Sequence, residues 1–317
     1  MSVGVGVIGA GMMGAAHVTT LTTGVPGAHV AAVSDADPQR AAAAAGAGGG
    51  RAIADPLELI ADPAVDAVVV ASFDTTHEAF VLACIAAGKP VLCEKPLATS
   101  ADACLRVIDA ELTAGRRLVT LGFMRRFDPA YEAIKAQLDD DGGVGAILLV
   151  HCAHRNAVAP PFYTSEMLIT SSAVHEIDIT RWLLGEDIVA ATVHVPRPTR
   201  QAPDGLRDPQ LVLLETASGV LIDVELFVNA RYGYDIRCEL VGETGTLRLD
   251  EQVAPDFRAR FATAYRRELD AWVRGLGDGP SAWDGYAANA VADACLESLA
   301  SGSRAAVELV VRPALYA

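Results

Sequence analysis

The chain has 317 residues, which is about the length of two ordinary domains. Hydrophobic residues make up 51% and charged residues 21% of it, a composition typical of folded globular proteins rather than disordered ones. The 40 acidic and 25 basic residues give a net charge of −15, which disfavours nonspecific binding to nucleic acids or anionic membranes.

Neither the apolar segments nor the cysteines indicate a membrane or metal protein. No apolar run reaches the roughly 18 residues that a membrane span needs, and the apolar N-terminus has no basic leader of the kind found in signal peptides. The six cysteines lack the paired spacing of metal ligands. We therefore expect reduced, mostly buried thiols, no metal site and a cytoplasmic protein.

Residues 1–121 alternate short β-type runs with helical stretches. The β-type runs are Val3–Ile8, His29–Ser34, Ala67–Ala71, Val91–Cys93 and Leu118–Gly122. A first helix ends near His17, and the later helices span Pro38–Ala47, His77–Ala87 and Thr99–Ala114. This alternation predicts a doubly wound parallel sheet with helices on both faces.

Residues 122–317 have a different pattern. Helices are predicted at Pro129–Leu138 (ended by the run 139–143), Glu176–Leu184, Phe257–Leu276 and Trp283–Leu299. Strands are predicted at Ala146–His151, Ile188–Val195, Leu211–Glu215, Val220–Asn229, Ile236–Val241 and Thr246–Leu249. Because most of these strands follow one another directly, we expect a second domain with a mostly antiparallel sheet. The C-terminal helix 283–299 is a candidate to pack back on the first domain.

The first turn carries a dinucleotide-binding pattern. Strand Val3–Ile8 leads directly into Gly9-Ala-Gly11-Met-Met-Gly14, and a helix follows. Gly9 permits the tight turn, Gly11 lets a pyrophosphate approach the backbone, and Gly14 allows close contact between helix and strand. The free N–H groups at the start of the helix attract phosphate.

Asp35 ends the second strand, where a carboxylate can accept hydrogen bonds from both ribose hydroxyls. The carboxylate would repel the 2′-phosphate of NADP, and no arginine follows it immediately, so the pattern favours NAD. The alternative is that Asp35 caps the next helix.

Lys95 and His175 are the two candidate catalytic residues. Lys95 follows strand Val91–Cys93 in the run Glu94-Lys95-Pro96, at the sheet edge where ligands bind, and its ammonium can stabilise a developing alkoxide. Ser171, His175 and Asp178 would share one face of a helix, and His175 is the natural general base. A surface lysine that closes a loop and a structural histidine are the alternatives. His151 and His154 lie three apart on a strand, on opposite faces, so they do not form a metal pair.

These motifs, in this order, resemble the Gfo/Idh/MocA oxidoreductases over essentially the whole chain, and more closely the bacterial inositol 2-dehydrogenases. The closer match lies in the tracts Gly122–Tyr131, His151–Asn156, His175–Leu184, Tyr232–Glu239 and Ala282–Tyr286. The resemblance implies an α/β fold, with an N-terminal Rossmann domain over residues 1–121. It also implies a C-terminal α/β domain over residues 122–317 with a large open sheet, through which a homotetramer forms.

The resemblance also implies an activity and a set of site residues. It implies NAD-dependent oxidation of a ring hydroxyl of a cyclitol, most closely myo-inositol to 2-keto-myo-inositol, with Lys95 as the catalytic lysine and His175 as the base. The implied cofactor-binding residues are Gly9, Gly11, Met12, Met13, Gly14, Asp35, Ser72, Glu94, Lys95 and Met124. The implied substrate-binding residues are Arg125, His154, Asn156, Ser171, Ser172, His175 and Tyr234.

One position departs from the family pattern. Inositol dehydrogenases carry an aspartate four residues before the histidine, and this chain has Ser171 there. A hydroxyl cannot compensate an imidazolium charge, so we expect His175 to be less basic, or to be assisted by another carboxylate such as Asp178. Another inositol isomer, an aminocyclitol or a pyranose sugar is therefore the alternative substrate. An NAD-dependent glycosidase and a non-catalytic NAD-binding regulator are further alternatives.

Overall fold

A computed structural model describes residues 2–139, 143–249 and 252–317. The chain forms two compact units that are not continuous in sequence. The first unit contains residues up to Met124 together with Tyr265–Tyr286 and Val311–Ala317, and the second contains Arg125–Ala264 and Ala287–Val310. Residues 140–142 of the run expected to end a helix lie outside the described residues.

The first unit is built on a six-stranded parallel sheet with the strand order β3-β2-β1-β4-β5-β6. The strands are β1 (Val3–Ile8), β2 (Ala28–Ser34), β3 (Arg51–Ala52), β4 (Ala67–Val70), β5 (Val91–Cys93) and β6 (Val119–Leu121). Strand β4 is fully buried along its length, as its run of alanine and valine predicts. This sheet confirms the predicted Rossmann fold; the short edge strand β3 was not predicted.

Helices connect these parallel strands. They are α1 (Met12–Gly24), α2 (Pro38–Gly48), α3 (Pro56–Ala61), α4 (His77–Ala86) and α5 (Ala101–Ala114). Local chemistry sets several of their starts: Asp37 and Asp55 accept N-terminal amides of α2 and α3, each followed by proline, and Ser100 caps α5.

Two later segments of the chain complete the core of the first unit. Helix α8 (Phe257–Arg274) contributes Leu269 and Trp272 to the apolar cluster around β1, β2 and β4. Near the C-terminus, the Tyr316 hydroxyl donates to Oε2 of buried Glu111 over 2.6 Å. The other oxygen of Glu111 accepts the backbone amides of Leu118 and Val119.

The second unit is built on a seven-stranded sheet with the order β12-β11-β7-β10-β9-β8-β13. The strands are β7 (Ile147–Arg155), β8 (Ile188–His194), β9 (Gln210–Thr216), β10 (Leu221–Phe227), β11 (Asp235–Gly242), β12 (Thr246–Arg248) and β13 (Ala305–Ala306). All neighbours pair antiparallel except β7 and β10, which are parallel. The mostly antiparallel prediction is confirmed, with one parallel pair at the centre.

Burial alternates along these strands, so the sheet has one covered and one open face. Helices α6 (Pro129–Asp139) and α7 (Val174–Leu184) belong to this unit, and α7 packs against β7. Helix α9 (Ala282–Ser301) runs on from the first unit into the second. His154 lies on the covered face of β7 and is 4% exposed, whereas His151 lies on the open face, as their spacing predicts.

In the described part of the chain, no helix is both long and apolar enough to cross a membrane. All six cysteines are buried and none forms a disulfide.

Candidate functional site

The glycine turn of the first unit leaves room for a dinucleotide pyrophosphate. Gly9 has a φ of +92°, and a Cβ there would lie 2.5 Å from the carbonyl oxygen of Ala71. A Cβ on Gly14 would lie 1.8 Å from the carbonyl oxygen of Gly9. Nothing lies within 4 Å of a Cβ built on Gly11, and no side chain caps the helix that begins at Met12. The open cradle and the uncapped amides fit a diphosphate.

Asp35 is held beside this turn by backbone amides. Its Oδ2 accepts from the amide of Ala10 over 2.6 Å, and its Oδ1 accepts from the amide of Asp37 over 2.7 Å and from Arg40 Nη2 over 2.9 Å. Burial raises the pKa of Asp35, but these hydrogen bonds outweigh it and hold the pKa below its usual value. The cap of α2 is Asp37, not Asp35, so the capping alternative is wrong.

The other predicted cofactor residues of the first unit lie along the same edge of the sheet. Ser72 follows β4, and its hydroxyl lies 2.7 Å from that of Thr76. Met12 and Met13 open α1, and the Met12 side chain is exposed. Met124 is buried and follows β6. These residues thus lie at the carboxyl ends of β1, β4, β5 and β6, where ligands are expected to bind a parallel sheet.

Glu94 and Lys95 follow β5, and Glu94 forms a buried ion pair. His17 Nε2 lies 2.8 Å from Glu94 Oε1, and both side chains are less than a tenth exposed. Burial raises the pKa of Glu94, but the hydrogen bond and charge of His17 lower it by more, so the pKa lies below its usual value. This pair, which the sequence did not reveal, anchors the segment that carries Lys95.

In the second unit, His175 lies on α7 directly after a π-helical turn, Leu168–Ala173. Ser171 and Ser172 lie in that turn, so a π-helical turn, and not an α-helical one, separates Ser171 from His175. The Ser172 hydroxyl lies 2.8 Å from the Tyr163 hydroxyl. Asp178 is bonded by both Nε and Nη2 of Arg126, which makes it part of an ion pair.

His175 lies among other buried polar side chains. Its ring centroid is 6.3 Å from that of His154, and the His154 centroid is 5.7 Å from the edge-on ring of Tyr234. Arg125 lies over the ring of Phe261 at 5.5 Å and donates to Glu176. Burial raises the pKa of Tyr234 to about 12, so its hydroxyl stays protonated. The structure brings together Arg125, His154, His175 and Tyr234; it places Asn156 just beyond β7, where its backbone amide donates to Phe227.

Two family models match the chain. One, described as an oxidoreductase family with an NAD-binding Rossmann fold, matches residues 3–123. The second, the GFO/IDH/MocA C-terminal domain, matches residues 131–248. The chain belongs to the Gfo/Idh/MocA oxidoreductase family. The resemblance and the NAD cofactor predicted from the sequence are thereby confirmed.

Relatives within the Gfo/Idh/MocA family match the chain along its full length. Inositol 2-dehydrogenase 2 of Saccharopolyspora erythraea is 56% identical, with 100% of this chain and 99% of the relative covered. Inositol 2-dehydrogenase of Burkholderia ambifaria is 48% identical with the same coverage. The crystal structure of myo-inositol dehydrogenase from Lactobacillus casei in complex with NAD(H) and myo-inositol has a TM-score of 0.96 and 37% identity, and both chains are covered completely.

Coenzyme choice in this family member is testable through Asp35 and Arg40. Replacing Asp35 with serine removes the charge that repels a 2′-phosphate and releases the Arg40 guanidinium, which can then bind that phosphate. We expect the ratio of NADPH to NADH affinity to rise by about 10- to 100-fold, as one charge-assisted hydrogen bond predicts. Fluorescence titration with each reduced coenzyme measures the two dissociation constants.

Two further variants control this experiment. The double variant Asp35→Ser/Arg40→Gln should lose most of the gain for NADPH, and Asp55→Ser, at the cap of α3, should leave the ratio unchanged. An equal gain with and without the arginine would show that Arg40 does not bind the phosphate.

Proposed function

We propose that the chain is an NAD-dependent dehydrogenase that oxidises a ring hydroxyl of a cyclitol, with myo-inositol as substrate and 2-keto-myo-inositol as product. The observation that carries the proposal is the buried cluster of Arg125, His154, His175 and Tyr234, since directional donors and acceptors recognise a polyhydroxylated ring. The names of the full-length relatives and the inositol-bound Lactobacillus casei structure support it.

Coenzyme binding is assigned to residues of the first unit. When bound, NAD supplies the acceptor for the hydride that leaves the carbinol carbon. The turn Gly9–Gly14 holds the pyrophosphate and Asp35 holds the ribose, with Met12, Met13, Ser72, Glu94 and Met124 lining the coenzyme.

Lys95 and His175 act on the reacting hydroxyl. His175 accepts the hydroxyl proton, and the Lys95 ammonium stabilises the negative charge that develops on the oxygen. The remaining hydroxyls of the substrate are bound by polar side chains of the second unit, namely Arg125, His154, Asn156, Ser171, Ser172 and Tyr234.

Removal of the Lys95 ammonium tests this mechanism. Lys95→Ala should lower kcat with myo-inositol by about 10²- to 10³-fold, the usual effect of deleting one donor to a developing oxyanion. The dissociation constant for NADH, measured by fluorescence, should change little. Lys89→Ala is the matched control. It also removes an ammonium, one whose hydrogen bond in the described structure is to the backbone carbonyl of Asp62. Retention of full turnover by Lys95→Ala would refute the role.

Ser171 is the observation that favours a second candidate substrate. Without the family aspartate, the chain lacks one charge beside His175, and another inositol isomer, an aminocyclitol or a pyranose is the alternative. A screen with NAD against these compounds, followed by NADH absorbance, separates them. Accumulation of free NADH also distinguishes a dehydrogenase from an NAD-dependent glycosidase, which reduces its sugar again, and from a non-catalytic NAD-binding regulator.

Replacement of Ser171 by aspartate should restore the family arrangement. A carboxylate stabilises the imidazolium and raises the pKa of His175, so the acidic limb of the kcat/KM profile should move to higher pH. We expect activity on myo-inositol near pH 8 to rise about tenfold. Ser171→Asn, which has nearly the same shape but no charge, is the control. An unchanged preference among substrates would show that specificity is set elsewhere.

We also propose that the enzyme is cytoplasmic and forms a homotetramer through the open face of the second unit's sheet. That face exposes Leu149, Leu211 and Leu221, and apolar area of this kind is normally covered by a partner. The same face carries a cavity of about 530 Å³ lined by charged side chains, among them Arg155 and Asp223.

Charge placed on this face should prevent assembly. Leu211→Asp/Leu221→Asp is expected to shift the mass measured by light scattering from four chains towards one, because carboxylates would be buried in the interface. Val311→Asp, at an exposed position in the first unit, serves as the control. A wild-type mass of one chain would contradict the proposal.

A further inference from the structure

Glu176 is a buried carboxylate to which the sequence assigned no role. It follows His175 on α7, is 1% exposed, and touches two basic side chains. Arg125 Nη1 donates to its Oε1. His154 Nδ1 lies 3.2 Å from the same oxygen and 3.1 Å from Oε2.

These contacts determine which nitrogen of His154 carries the proton. An ionised carboxylate only accepts hydrogen bonds, and Arg125 only donates them, so Nδ1 can bond only one of the two. Arg125 Nη2 lies 3.2 Å from Nδ1, but both oxygens of the anion face the same nitrogen. Burial raises the pKa of Glu176, but the charge of Arg125 and the hydrogen bonds from Arg125 and His154 outweigh it and hold the pKa below its usual value, so the carboxylate is ionised. The Nδ1–H form that donates to Glu176 is therefore favoured.

The position of this proton determines how the other ring nitrogen of His154, Nε2, can form hydrogen bonds. With its proton on Nδ1, neutral His154 presents Nε2 as a hydrogen-bond acceptor. The rings of His154 and His175 are 6.3 Å apart and tilted by 33°, close enough to serve two hydroxyls of one small ring.

We propose that Glu176 is a positioning residue that holds His154 in the Nδ1–H form, so that Nε2 accepts a hydrogen bond from a second hydroxyl of the substrate. That hydroxyl is a neighbour of the one that His175 deprotonates. The site therefore selects substrates with at least two suitably placed hydroxyls over those with only the reacting one. This inference rests on the proposed function and adds to it the residue that sets this selectivity.

The tautomer can be observed without catalysis. In protein labelled with ¹⁵N-histidine, one imidazole should show the nitrogen shifts of an Nδ1–H ring, and that signal should be absent from His154→Asn. In Glu176→Gln the amide can donate or accept, so the same ring should move towards a mixture of forms. An Nε2–H pattern for His154 in the wild-type protein would overturn the inference.

Selectivity is measured with monodeoxy analogues of myo-inositol. Wild-type enzyme should lose about tenfold in kcat/KM on the analogue that lacks the second hydroxyl. Glu176→Gln should raise KM for myo-inositol by about the same factor and discriminate less against that analogue, with NADH affinity unchanged. Glu215→Gln, which disturbs only the exposed pair with Arg304 among the contacts seen, is the matched control.

Glu176→Gln leaves the charge of buried Arg125 without its counterion, so this variant could misfold. A second variant keeps the test interpretable in that case. His154→Asn keeps an amide donor for Glu176 and removes only the Nε2 acceptor, so it should lose the same discrimination while keeping its folded stability close to wild type. Unchanged discrimination in both variants would refute the role of Glu176 while leaving the dehydrogenase assignment intact. Failure of the wild-type enzyme to reduce NAD with any inositol would instead overturn the proposed function, and this inference with it.

Discussion

A single buried negative charge constrains the polar centre of the second unit. An uncompensated carboxylate in such surroundings would cost roughly several kcal/mol, so Glu176 requires donors on both sides. Arg125 supplies the compensating cation and lies over the ring of Phe261, and His154 supplies the other contact. His175 adjoins Glu176 in sequence, so the helical turn that buries the carboxylate also determines the backbone position from which the His175 side chain extends. The orientation of the whole cluster thus follows from satisfying one ion.

The sequence was most informative where function depends on neighbouring residues along the chain. Gly9 and Gly14 could be expected from spacing alone, because a tight turn and a close helix–strand contact each require the absence of a Cβ. Asp35 was likewise found at the end of its strand, although its pairing with Arg40 was not foreseen. That arginine lies in the first turn of α2, and sequence order does not show that its side chain folds back towards Asp35.

The features that the sequence did not reveal depend on tertiary contacts. His17 and Glu94 are far apart in sequence and meet only because α1 and β5 pack in one unit. The π-helical turn before α7 changes the spacing of Ser171 relative to His175, and its residues have no composition that distinguishes them from an α-helix. Glu176 could not be singled out in the sequence, because α7 carries other polar residues such as His175 and Asp178 and only the fold shows which of them need a buried partner.

The late return of the chain to the first unit affects how the protein is made. The Rossmann sheet is translated first, but Trp272 and Tyr316, which close its core and its Glu111 contact, are translated only after the strands of the second unit. While the second sheet is being translated, the N-terminal segment already made has an apolar surface that Trp272 does not yet cover. It is in this interval that chaperones have most to bind, so this enzyme cannot mature one domain at a time in the order in which its gene is read.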